Sequence, residues 1–157
     1  MRFDKIDLSI LRELQQDSSL TNQELADRVG LSPSPCLRRV KALEETGVID
    51  SQVMLLNQKM LGLKLTAFIQ ISMDRHTPER FEVFEAEVES FPEVIACNMV
   101  TGQSADYLLE VAVEDMDYYH EFLLGKLTRI PGVTGVHSSF LLRRIINRTA
   151  LPLNHLA

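Results

Sequence analysis

Apolar residues recur at three- and four-residue spacing over the first third of the chain and largely at alternate positions afterwards. This pattern predicts a helical N-terminal part and a mixed α/β remainder. Ile6, Ile10, Leu11 and Leu14 mark a first helix, with Asp4 as its N-cap. Thr21 opens a second helix, and Glu24, three residues on, is placed to complete a capping box. Leu25, Ala26 and Val29 form its inward face, and Gly30 suits the left-handed residue that ends it. Ser32 caps a third helix that begins at Pro33, where a missing N–H costs nothing. Pro35 is tolerated too, because the first helical N–H groups lack intrahelical partners, and it leaves the N–H of Ser34 as the target of the Ser32 hydroxyl. Leu37, Val40 and Leu43 gather on one side of this helix, with Cys36 at the edge. Thr46-Gly47 stops it, and residues 48–56 read as alternating extended chain. Three helices with a tight glycine turn, followed by a strand or hairpin, predict a winged helix-turn-helix.

The second half repeats itself. Leu65, Ala67, Ile69, Ile71 and Met73 alternate as a strand. Thr77-Pro78 then caps a helix with Phe81, Phe84, Val88 and Phe91 inward, and residues 94–100 form a second, continuously apolar strand. The cycle restarts with a strand over residues 107–113, a helix carrying Met116, Tyr119, Leu123 and Leu127, and a strand over 133–142. The junctions Phe91-Pro92-Glu93-Val94 and Ile130-Pro131-Gly132-Val133 match at a distance of 39 residues. Two βαβ units make a ferredoxin-like βαββαβ sheet with both helices on one face. The other face would carry Phe68, Tyr107 or Leu108, and Phe140 or Leu141, which is apolar enough to call for a covering subunit. The fold class is therefore α+β. Its domains are a winged helix-turn-helix over 1–56, a linker over 57–63 and a ferredoxin-like domain over 64–157.

Composition narrows the function. At 157 residues and 45% hydrophobic content the chain can build a core, and no 18-residue apolar run or signal segment interrupts it. The expectation is a cytoplasmic protein with no membrane partner. Cys36 and Cys97 form no CxxC pair and read as small buried hydrophobes. The net charge of −6 excludes a general nucleic-acid coat. Its distribution leaves room for a local one. Residues 1–60 hold eight Lys/Arg against nine Asp/Glu, whereas residues 61–157 hold eight against thirteen. Between Arg28 and Leu43 there are four cations and no acid. Ser34, Pro35, Arg38 and Lys41, flanked by Arg39, lie opposite the apolar side of the third helix, as entry into a major groove requires. A charge run by itself commonly marks only a solvated face. The helix-turn-helix in front of this one turns the reading toward DNA.

Residues Thr101, Gly102, Gln103, Ser104, Ala105, Asp106 and Tyr107 form a hairpin loop. It reads as a plain turn, or as a nest of N–H groups able to hold a carboxylate with Asp106 placed for an ammonium. Catalysis finds little support. His76, His120, His137 and His155 lack metal-ligand spacing, no serine sits in a nucleophile elbow, and Asp115 and Asp117 suit a helix N-terminus. Neither catalytic nor metal-ligating residues are assigned.

The runs DKIDLSILRELQQDSSLTNQELADRVG, LSPSPCLRRVKALEETGVI and ACNMVTGQSADYLLEV, with RIPGV, resemble the Lrp/AsnC (leucine-responsive, feast/famine) family of transcription regulators. The similarity extends from about Asp4 to Arg143. It implies an N-terminal winged helix-turn-helix, a C-terminal ferredoxin-like effector domain, dimers paired through their sheets, assembly to octamers, and amino acids bound between dimers. Carried onto this chain, it implies a recognition helix over 32–45 with basic Arg39 and Lys41, and an effector loop over 102–107. Asn22, Gln23 and Ser32 are further candidates for DNA contact. Ser138 and Ser139, on the last strand, fall where relatives carry a larger or Thr-type side chain near the effector. One departure is the loop spacing: Gln103, Ser104 and Ala105 separate glycine from aspartate where leucine-responsive members have two residues. Met99, Val100, Ala105 and Leu141 offer apolar surroundings without Lys or Arg, which favours leucine or methionine as effector, with no other cofactor. The expected function is a sequence-specific, nucleoid-associated DNA-binding regulator acting on a roughly palindromic operator. The alternatives are an effector-independent architectural DNA-wrapping protein and an enzyme like the sirohaem decarboxylases, which share the implied architecture.

Overall fold

The computed structural model describes residues 3–102 and 104–156. The chain divides into two compact units, one of Met1–Leu55 with Ile145–Ala157 and one of Leu56–Arg144. The tail after Arg144 thus belongs with the first unit, although it was expected to continue the ferredoxin-like domain to 157. Its attachment is specific. The Gln15 side chain accepts from the Leu151 N–H at 2.7 Å and donates to the Leu151 carbonyl at 3.3 Å, and Leu153 packs against the helical core.

In the first unit, α1 spans Lys5–Gln16, α2 Asn22–Val29 and α3 Pro33–Glu45. Asp4 caps α1 and forms a capping box with Asp7, and Thr21 and Glu24 form the one predicted for α2. Gly30 ends α2 in the left-handed region at φ 71°, where a Cβ would be strained. The helices close on Ile10, Leu11, Leu25, Ala26, Cys36 and Leu43. Three local expectations change. Ser32 has N-cap backbone geometry, but its hydroxyl makes no capping bond. Pro33 and Pro35 remove two of the N–H groups at this terminus, one of them the third-position donor such caps favour. Cys36 is fully buried at the centre of the interface while Leu37 turns outward, so the inward stripe is shifted by one residue. Residues 48–56 form no strand, and Val53, Met54, Leu55 and Leu56 are exposed. An extended segment becomes a strand only beside another strand, and the described residues of this unit contain none.

The second unit is the predicted βαββαβ sheet. β1 (Leu65–Met73), β2 (Val94–Met99), β3 (Tyr107–Val113) and β4 (Val133–Phe140) lie in the order β2-β3-β1-β4. All three pairings are antiparallel, and α4 (Pro78–Glu89) and α5 (Met116–Gly125) cover one face. Ala67, Ile69, Ile71 and Met73 of β1 and Tyr107, Leu109, Val111 and Val113 of β3 pack there on Phe84, Val88, Tyr119 and Phe122. Both matched junctions make the same turn, in which the Val94 N–H bonds Phe91 and the Val133 N–H bonds Ile130. Register settles the open face. Tyr107 and Phe140 lie on the helix side, Tyr107 against Phe84 and Phe140 edge-on to Tyr119. The other face carries Phe68 and Leu108 among Gln70, Glu110, His137 and Ser139, so it is more polar than expected. β2 is an edge strand with exposed Ile95, Cys97 and Met99. Cys97 is exposed on this strand, contrary to the reading of both cysteines as buried.

Among the described residues of this unit, Glu93 is the charged residue that is buried. It accepts from Lys126 Nζ at 2.6 Å and from the Tyr118 hydroxyl at 2.9 Å, while its second oxygen has no partner among the described residues. Burial pushes its carboxyl up, but the bonds from Lys126 and Tyr118 outweigh that and hold it below the usual range, while Lys126 is raised by the same bond. A depressed acid stabilises the fold above its unfolded pKa of about 4.3, and that contribution is lost as pH falls through the folded value. A raised lysine contributes fully below about 10.4 and loses it as pH rises further. Lys126→Met is therefore expected to cost about 1–3 kcal/mol at pH 7 by stranding a buried carboxylate. The deficit should shrink in thermal melts below pH 4, and an equal deficit at pH 7 and pH 3 would refute this account.

Candidate functional sites

The predicted DNA-facing residues separate by what holds them. Arg38 and Lys41 are exposed on α3 and have no acidic partner among the described residues. Ser34 is exposed beside them and Pro35 is half-buried. Arg39 differs. Its guanidinium donates to Asp4 and Asp7 of α1, at 2.7 Å each. These bonds raise the already high pKa of Arg39 and, with the backbone bond from Asp7 as the larger cause, lower that of Asp4. Arg39 therefore ties α3 to the capped end of α1. Asn22 is likewise structural, its amide donating to the Pro33 carbonyl at 2.8 Å and joining the starts of α2 and α3. Gln23 bonds Asp27 on its own helix at 2.9 Å.

The loop between β2 and β3 is tied to the end of β1. Gly102 takes φ 88° to make the turn. Gln103 lies outside the described residues. Thr101 and Ser104 are exposed, and the Ser104 carbonyl accepts from the Ser72 hydroxyl at 3.1 Å. Ala105 is buried. Asp106 bonds through every polar group it has: its N–H to Ile71 at 2.8 Å, its carbonyl from Val100 at 2.9 Å, and one carboxylate oxygen from the Met73 N–H at 2.7 Å. The other oxygen meets His76 Nε2 at 2.7 Å. Asp106 is thus an anchor of the loop as well as a candidate for an ammonium group. Tyr107 turns under the sheet and donates to Glu85 at 2.7 Å, and burial together with that bond pushes its phenol up.

Sequence reading missed His76, which is 30 residues from Asp106. The signal lay in the topology: antiparallel pairing of β1 with β3 sets Ile71 opposite Tyr107, so the turn after β1 meets the hairpin loop. Ser138 and Ser139 are not brought to this loop. β4 lies two strands from β3, Ser138 bonds the Tyr119 hydroxyl on the helix side, and Ser139 pairs with Phe68 on the open side. Leu141 is also distant, since it bonds Thr66 at the opposite end of β1. Met99 instead lines a groove of about 440 Å³ between β2 and α4, together with Glu85, Val88, Glu89, Val94 and Cys97.

Comparison with known proteins decides the family. The Lrp/AsnC ligand binding domain matches residues 66–151, and a winged helix-turn-helix DNA-binding domain matches residues 3–50. The chain belongs to the Lrp/AsnC family. It is 41% identical over 150 residues to the Bkd operon transcriptional regulator of Pseudomonas aeruginosa, covering 96% of this chain and 97% of that one. It is 41% identical to the leucine-responsive regulatory protein of Escherichia coli over 142 residues, covering 90% and 86% respectively. A transcriptional regulator from Neisseria meningitidis, solved as a complex with L-methionine, superposes with a TM-score of 0.95 at 44% identity over 99% of both chains. As a member of this family the protein is a transcription regulator with a helix-turn-helix for DNA and a domain for an amino acid. Among the described residues no cluster of metal-ligating side chains occurs, and no helix is long and apolar enough to cross a membrane.

Proposed function

We propose that this regulator reads a roughly palindromic operator through Ser34, Arg38 and Lys41 and responds to an aliphatic or thioether amino acid, leucine or methionine. The observation that carries the DNA part is the pair of exposed cations on α3 that no acid among the described residues neutralises, in a chain with net charge −6. The effector part is supported by the hairpin loop, whose backbone is braced by Asp106 and Ser72, and by apolar Met99 with acidic Glu85 and Glu89 nearby. The relative solved with L-methionine points the same way. Two copies would cover Phe68 and Leu108 by pairing their open sheet faces, and dimers would assemble to octamers that carry several recognition helices. Such an assembly would act in the cytoplasm, on DNA of the nucleoid.

Calorimetry tests the effector. Leucine or methionine is expected to bind the purified protein at least tenfold more tightly than aspartate, glutamate or lysine, and sedimentation with the bound ligand should show a heavier assembly. Tight binding of a charged amino acid with none of leucine or methionine would reverse the specificity. No response to any of the twenty would favour an architectural DNA-wrapping role instead.

A further inference from the structure

Leu37 stands apart from the other apolar residues of α3. It is 44% exposed and lies outside the cluster that Cys36, Val40 and Leu43 complete. At about 100° per residue it falls roughly 40° around the helix from Lys41 and roughly 60° from Ser34, so it shares their solvent-facing surface. A single exposed leucine needs no explanation by itself. The setting of this one is more telling, because Arg38 and Lys41 beside it have no acidic partner among the described residues. Such a surface complements a polyanion. In a major groove, between phosphates and polar base edges, the apolar feature open to a leucine is the 5-methyl group of thymine.

Resting on the DNA-binding reading above, we infer that Leu37 is a specificity-determining residue that selects thymine at one position of each half-site by packing on its methyl group. Removing that methyl exposes one CH₂-sized contact, which is worth about a fourfold change in affinity. Arg38 and Lys41 would set strength and salt dependence, while Leu37 would set which base pair is tolerated at its position.

The experiment starts from an operator selected by the wild-type protein from random duplex DNA. Each thymine of the half-site is then replaced singly by deoxyuridine, which removes only the methyl. One replacement is expected to weaken wild-type binding about three- to fivefold, and Leu37→Ala should bind both versions equally while Arg38→Ala keeps the difference. Because Leu37 is exposed, Leu37→Ala should melt like wild type, and Leu37→Met, which keeps the apolar contact, should retain the penalty. An operator with no methyl-sensitive thymine, or a penalty that persists in Leu37→Ala, overturns the inference and leaves DNA binding standing. A change in the mass of DNA-free Leu37→Ala would assign the residue to a protein interface and equally overturn it. Failure of the wild type to select any DNA would overturn the DNA reading itself.

Discussion

Phe84→Ala is expected to lower the stability of the ferredoxin-like unit by about 3–5 kcal/mol, the usual cost of deleting a buried aromatic ring. Phe84 has no exposed surface and sits where α4 meets the sheet, its ring 4.5 Å from that of Tyr107. Tyr107 is itself clamped by Glu85 from the same helix, so the cavity cannot be filled by moving one neighbour. The loss would be felt at the hairpin loop, because Tyr107 follows Asp106 directly and the Asp106 anchors depend on the position of β3. Urea unfolding followed by tyrosine fluorescence checks this, since Tyr107, Tyr118 and Tyr119 all lie in this unit. A loss below about 1 kcal/mol would mean that the site collapses more easily than its packing implies.

Arg38→Ala and Arg39→Ala, although adjacent, should fail in different ways. Arg38 is free of acidic partners among the described residues, so its removal should leave the melting curve unchanged and weaken specific DNA binding by about 1–3 kcal/mol if it reads a base edge. If it meets a phosphate instead, binding should weaken evenly across sequences and the salt slope fall by about one. Arg39 is held between Asp4 and Asp7. Its removal should cost the helical unit about 1 kcal/mol and leave two carboxylates near the capped end of α1, so any weakening of DNA binding should accompany a lower melting point. Gel shifts and thermal melts on the two variants decide between these roles. Equal DNA defects with wild-type melting in both would return Arg39 to the DNA-reading set.

The helical spacing, the caps at Asp4, Thr21, Thr77 and Asp115, and the repeated Pro junctions were legible in the chain because each is a local event among residues three or four apart. From them follow the helix-turn-helix and the βαββαβ order. Tertiary structure decided what two distant segments do to one another. The Asp4 and Asp7 carboxylates lie more than thirty positions from Arg39, and only the packing of α1 on α3 pairs them with its guanidinium. Strand register, a matter of pairing, put Tyr107 and Phe140 on the helix side and left Phe68 and Leu108 open. The same pairing brought His76 to Asp106 and kept Ser138 and Leu141 away from the loop. Cys97 came out exposed on the edge strand β2, and no strand among the described residues of the first unit gave residues 48–56 a ladder. Periodicity along a chain specifies which residues share a face, and the choice of what that face meets belongs to contacts between elements that no local pattern encodes.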